Sequence, residues 1–102
     1  MARTEPSLLF TPLKIGNVVL KHRVVMAPLT RFRATKKKHV PHDFVKTYYS
    51  QRATTPGTLI ITEGTLIAPQ AGGFDSVPGI WSDEQIDAWR QVSISSVTLG
   101  IF

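Results

Sequence analysis

Arg23-Val24-Val25-Met26-Ala27-Pro28 is a continuous apolar run, entered from a charge and closed by a proline. A run that is apolar at every position, rather than alternating, belongs to a strand covered on both faces, as in a parallel sheet. Pro28 has no N–H to give to a ladder, so the strand ends there. A second run of this kind, Thr58-Leu59-Ile60-Ile61-Thr62, is followed at once by Glu63-Gly64. Between the two, Val40, Phe44, Val45, Tyr48, Tyr49 and Ala53 recur at helical spacing. Pro41-His42-Asp43 supplies a first turn and Thr54-Thr55-Pro56-Gly57 a stop. Strand, helix, strand with so long a crossover predicts parallel pairing.

Upstream, Leu8 to Leu20 reads as two extended segments around Gly16-Asn17, a hairpin signal in which glycine supplies a positive φ. Downstream, the stretch from Thr65 to Trp81 carries Pro69, Gly72-Gly73, Pro78 and Gly79. It exceeds an ordinary strand-to-helix connection, and that length marks a functional loop. Ser82-Asp83-Glu84-Gln85 then matches a capping box, with Trp81 and Ile86 placed for a hydrophobic staple. A helix over 82–92 follows. The order is hairpin, β, α, β, α, the opening of a larger α/β fold. Two parallel strands leave both edges bare, so the isolated chain is expected to be partly unfolded or to self-associate through those edges.

At 102 residues the chain fits one small domain, and 42% hydrophobic with 19% charged residues excludes disorder or coiled coil for the whole. No apolar run approaches the ~20 residues of a membrane span. Met1 to Pro6 lacks the apolar segment of a secretory signal. The absence of cysteine rules out disulfides, thiolate-bound metals and cysteine nucleophiles, and fits a reducing compartment. Twelve Lys and Arg against seven Asp and Glu leave a net charge of +5, which favours anionic partners. The densest basic cluster is Arg31, Arg33, Lys36, Lys37, Lys38 and His39. Without stacking aromatics or a binding module it reads as a solvated loop, with phosphate, nucleic-acid or nuclear-import contact as alternatives. His39 and His42 lack a third ligand, so no metal site is assigned. Tyr48 and Tyr49 sit on the helical stripe as core residues.

The blocks Val25-Met26-Ala27-Pro28-Leu29-Thr30-Arg31-Phe32-Arg33-Ala34, Tyr48-Tyr49-Ser50-Gln51-Arg52-Ala53 and Pro56-Gly57-Thr58 occur in order with Ile61-Thr62-Glu63-Gly64, Pro69-Gln70-Ala71-Gly72-Gly73 and Pro78-Gly79-Ile80-Trp81-Ser82. Together they closely resemble the N-terminal part of the old yellow enzyme family, the FMN-dependent, NAD(P)H-using ene-reductases, and its fungal members above all. The resemblance implies an α/β chain that is the N-terminal fragment of a (β/α)8 TIM barrel, its hairpin capping the barrel floor. Residues 1–92 would belong to that FMN-binding barrel. Residues 93–102 diverge, as if read through a splice site at Val92-Ser93-Ile94 or after a frameshift.

It further implies FMN as cofactor, NADPH as reductant, a small activated alkene as substrate and a cytoplasmic location, with neither nucleic acid nor membrane as partner. Ala27, Pro28, Leu29 and Thr30 correspond to flavin-contacting residues at the end of the first strand, and Gly64 to the small residue against the flavin after the second. A Thr30 hydroxyl near flavin N5 and O4 would favour the reduced ring. Phe32 and Phe74 correspond to the substrate-pocket lining, Phe74 standing where a tyrosine is common. Taken without the resemblance, Thr30 and Gly64 read first as turn residues, and the two phenylalanines can be ordinary packing. The family's flavin-binding glutamine, its substrate-binding His/Asn or His/His pair and its tyrosine proton donor match nothing here, so no catalytic residue is assigned. The expectation is a truncated, inactive relative, or an incomplete portion of an active ene-reductase, that holds no FMN by itself. A small non-catalytic binding or regulatory protein is the alternative.

Overall fold

The computed structural model describes residues 7–97. Its elements are a 3-10 turn at Leu8–Phe10, strands β1 (Leu13–Ile15), β2 (Val18–Leu20) and β3 (Val25–Met26), and helix α1 (Asp43–Arg52). Strand β4 (Leu59–Ile60), a 3-10 turn at Pro69–Ala71 and helix α2 (Asp83–Val97) complete the order. β1 and β2 pair antiparallel, Leu13 opposite Leu20 and Ile15 opposite Val18. Gly16 takes the turn at φ 57°, a conformation that glycine adopts without steric cost. Leu8–Phe10 departs from the extended reading. Ser7 Oγ accepts from Leu9 N at 3.2 Å and Thr11 N donates to Leu8 O at 3.0 Å, which close a tight turn instead.

β3 and β4 pair in parallel, Val25 opposite Leu59 and Met26 opposite Ile60, as the crossover predicts. Both strands are two residues long and form a sheet of their own. The expectation that they are buried on both faces fails here: Val24 and Ile61 are each 45% exposed and Val25 38%. Burial of a parallel strand comes from neighbours and helices on either side, and among the described residues the sheet of β3 and β4 holds no further strand.

What core there is lies between the two helices. Val45, Tyr49 and Ala53 of the α1 stripe meet Ile60, Trp89 and Val92, with Met26 and Tyr48 packed against them. Phe44, expected on the stripe, is 50% exposed and stacks instead on His42 at a 5.2 Å ring distance. The helix begins at Asp43, two residues past the proline, with His42 as its extended N-cap.

α2 starts on the expected capping box. Gln85 N donates to Ser82 Oγ at 3.2 Å, and Gln85 Oε1 accepts from Ser82 N at 3.0 Å and Trp81 N at 2.8 Å. Of the two staple residues, the Trp81 ring lies tilted against His39 and Ile86 is 40% exposed. The helix continues to Val97, past the expected end at residue 92. Val92 and Ser96, one turn apart, are both buried, so packing carries the helix on. The remainder of the divergent tail, 98–102, lies outside the described residues.

Candidate flavin-facing strand ends

The C-terminal ends of β3 and β4 point the chain into the same region. From β3, Ala27, Pro28 and Leu29 run exposed to Thr30, and from β4 the chain reaches Gly64 through Glu63. Thr30, Phe32, Gly64, Leu66, Phe74 and Val77 share one open hollow of about 360 Å³. It therefore brings together four residues singled out in the sequence, Thr30, Gly64, Phe32 and Phe74. Ala27, Pro28 and Leu29 lie outside its lining.

Two loops build its wall. Ala34 N donates to Ser76 O at 3.0 Å, Gly79 N to His39 O at 2.8 Å and Gln85 Nε2 to Lys38 O at 2.7 Å. His39 Nδ1 lies 2.7 Å from Val77 O, and since a carbonyl only accepts, that nitrogen carries the proton. Phe32 and Ser76 sit at φ 56° and 64°. Such strain in non-glycine residues persists where surrounding bonds overdetermine it. Phe32 and Phe74 meet edge to face, ring centroids 6.0 Å apart.

The basic cluster divides. Lys36, Lys37 and Lys38 stay exposed on a turn, and the Lys38–Glu84 pair at 3.7 Å is solvated on both sides. Arg31 instead lies over the Tyr48 ring, its guanidinium carbon 3.3 Å from the centroid.

The sequence places Tyr49 in the core and assigns Glu63 no role. Glu63 is 3% exposed, and the Arg31 charge acts on it. The Tyr49 hydroxyl donates to Glu63 Oε2 at 2.8 Å and accepts from Glu63 N at 3.0 Å. Burial pushes the Glu63 carboxyl above its ordinary value, against the lowering effects of the Tyr49 bond and the Arg31 charge. Burial likewise pushes the Tyr49 hydroxyl up, beyond the ordinary tyrosine range. The available signal was a carboxylate directly between an apolar run and a glycine.

The hollow suits a flat, neutral ring. A Cβ built on Gly64 meets nothing within 4 Å, and Gly64 has no positive φ, so neither protein packing nor backbone strain demands glycine there. Thr30 is exposed, with a hydroxyl free to face a ligand. The lining carries no charged side chain and two phenylalanine rings. Over residues 8–95 the chain matches the NADH:flavin oxidoreductase / NADH oxidase family. The chain belongs to that family.

Members of this flavin oxidoreductase family similar to the chain include the NADP-dependent oxidoreductase lnbE of Aspergillus flavus, 60% identical over 85% of this chain and 23% of that protein. Another, from Epichloe festucae var. lolii, bears the name "Probable inactive reductase easA"; it is 56% identical over 84% of this chain and 22% of that one. The crystal structure of Old Yellow Enzyme from Pichia sp. AKU4542 superposes with a TM-score of 0.86 at 42% identity, over 92% of this chain and 24% of that chain. The chain thus spans about a quarter of the length of the relatives it matches. Its α/β fold is the N-terminal part of their TIM barrel.

Proposed function

We propose that these residues form the first flavin-facing corner of an FMN-dependent, NAD(P)H-using oxidoreductase barrel of the ene-reductase type. The observation that carries the reading is the shared hollow of Thr30 and Gly64 at the ends of two parallel strands, where barrel enzymes keep their sites. FMN, when bound, supplies two-electron transfer between a nicotinamide and an activated alkene. In this reading Gly64 leaves room for the flat ring, Thr30 presents a hydroxyl to its edge, and Ala27, Pro28 and Leu29 carry the backbone past it. Phe32 and Phe74 form the apolar wall on which a small alkene rests. Residues 1–92 form the barrel portion and 93–102 the divergent tail.

None of the hollow's residues takes the role of proton donor, and none anchors the cofactor phosphate. A chain of these 102 residues is therefore inactive alone and retains no stoichiometric FMN. The names of its relatives cover both an oxidoreductase and an inactive reductase, so turnover is a property to be measured. The bare edges of β3 and β4, with Val24, Val25 and Ile61 exposed, support pairing with further strands, of the same barrel or of a second copy.

The test joins residues 8–92 to the remaining strands of a flavin-containing relative. The fusion should retain FMN and oxidise NADPH with cyclohexenone, and Gly64→Val should abolish FMN retention without unfolding it, since a Cβ at Gly64 meets no described atom within 4 Å. Undiminished FMN retention in Gly64→Val would refute the reading.

A further inference from the structure

Thr30 and Gly64 each have a charged neighbour in sequence, Arg31 and Glu63, and both neighbours are held by adjacent residues of α1. The Arg31 guanidinium lies 3.3 Å from the Tyr48 ring centroid and that of Arg52 lies 3.7 Å from it. Two guanidinium groups that close to one centroid cannot share a face, so the ring is enclosed between them. Arg52 Nη1 also donates to Tyr48 O at 3.1 Å, which ties the outer guanidinium to the helix. Arg31 Nη1 is buried and makes no hydrogen bond with the described residues, so its placement depends on the ring beneath it and on the Glu63 charge nearby. On the other side, the Tyr49 hydroxyl holds Glu63 by backbone and side chain together.

We propose that Arg31 and Glu63 are positioning residues which, anchored by Tyr48 and Tyr49 of α1, fix Thr30 and Gly64 relative to one another. Consecutive residues on one helix are rigidly spaced, so whatever is clamped to both is spaced as well. β3 and β4 alone cannot do this, because their ladder ends at Met26 and Ile60, four residues short of each site residue. The inference deepens the flavin-facing reading and rests on it for its purpose, though the clamp itself is a property of the free chain.

The test exploits the absence of native cysteine. Nitroxide labels are placed on a Thr30→Cys/Gly64→Cys chain, where Thr30 is exposed and a Gly64 side chain meets open space. The labelled chain is diluted into unlabelled chain so that only intramolecular dipolar coupling is read. A narrow distance distribution is expected with both tyrosines present. Tyr48→Leu, which keeps apolar bulk and loses the π face, should broaden it. Tyr48→Phe, which keeps the face, should restore it, and Tyr49→Phe should broaden it by freeing the Glu63 side. A distribution already broad with both tyrosines, or one as narrow in Tyr48→Leu as in Tyr48→Phe, overturns the proposal. Failure of the Gly64→Val flavin test alongside a narrow, tyrosine-dependent distribution would remove the flavin reading and leave the clamp standing.

Discussion

The Tyr49 hydroxyl both donates to Glu63 Oε2 and accepts from Glu63 N, at 2.8 and 3.0 Å. One buried oxygen thereby joins the middle of α1 to the chain just past β4. Tyr49 also packs on Trp89 of α2 at a ring distance of 6.1 Å, and Trp89 Nε1 donates to Gly79 O at 3.1 Å. A single helix position thus connects the strand end, the second helix and the loop that walls the hollow.

Tyr49→Phe keeps the ring packing and leaves the Glu63 amide and carboxyl without that partner. An unsatisfied buried polar group costs about 1–3 kcal/mol. Urea unfolding should show a loss in that range, with Tyr48→Phe, whose hydroxyl makes no such bond, close to unchanged. Equal losses for the two variants would count against the bond.

Burial of the same carboxyl sets a pH dependence. Glu63 has a folded pKa above its ordinary 4.5, so the folded state binds a proton that the unfolded state gives up more readily. Its contribution to stability is fully present below pH 4.5 and is lost as pH rises through the raised folded value. Glu63→Gln should flatten that part of the stability–pH profile, read by thermal melts from pH 4 upward. A profile with the same slope in wild type and Glu63→Gln would assign the effect elsewhere.

At Gly57 two constraints coincide. Its φ is 79°, and a Cβ there would run into the Lys21 side chain, while Lys21 N donates to Gly57 O at 3.1 Å. Gly16 shares the positive φ and has open space around it. Gly57→Ala should therefore destabilise by more than about 1 kcal/mol, and by more than Gly16→Ala in the same melt. The reverse order would show that the Lys21 contact yields freely.

Features set by neighbouring residues were readable from the sequence. Gly16-Asn17 made the hairpin, and Ser82 with Gln85 made the cap, because each is decided within four residues. Features that depend on distant parts of the chain were not. The apolar runs at Val24 and Ile61 promised burial, yet burial depends on neighbouring strands and helices, and the described residues place no third strand beside β3 and β4. Ser93 to Val97 looks too β-branched and serine-rich for a helix, but Ser95 Oγ turns back to Gln91 O at 2.8 Å and the buried face of α2 carries the segment on. Glu63 escaped notice because its partner lies 14 residues away on another element. Thr30, Gly64, Phe32 and Phe74 were identified by resemblance, and only the fold brings them around one hollow.

The central claim is that Thr30 faces the flavin, and a potentiometric titration of bound FMN tests it most directly. In a complete barrel beginning with these residues, Thr30→Ala should leave FMN bound and lower its two-electron potential. One hydrogen bond contributes about 0.5–1.5 kcal/mol net, which corresponds to ~10–30 mV. Reduction by NADPH should slow in parallel. An unchanged potential with an unchanged rate of flavin reduction would contradict the account.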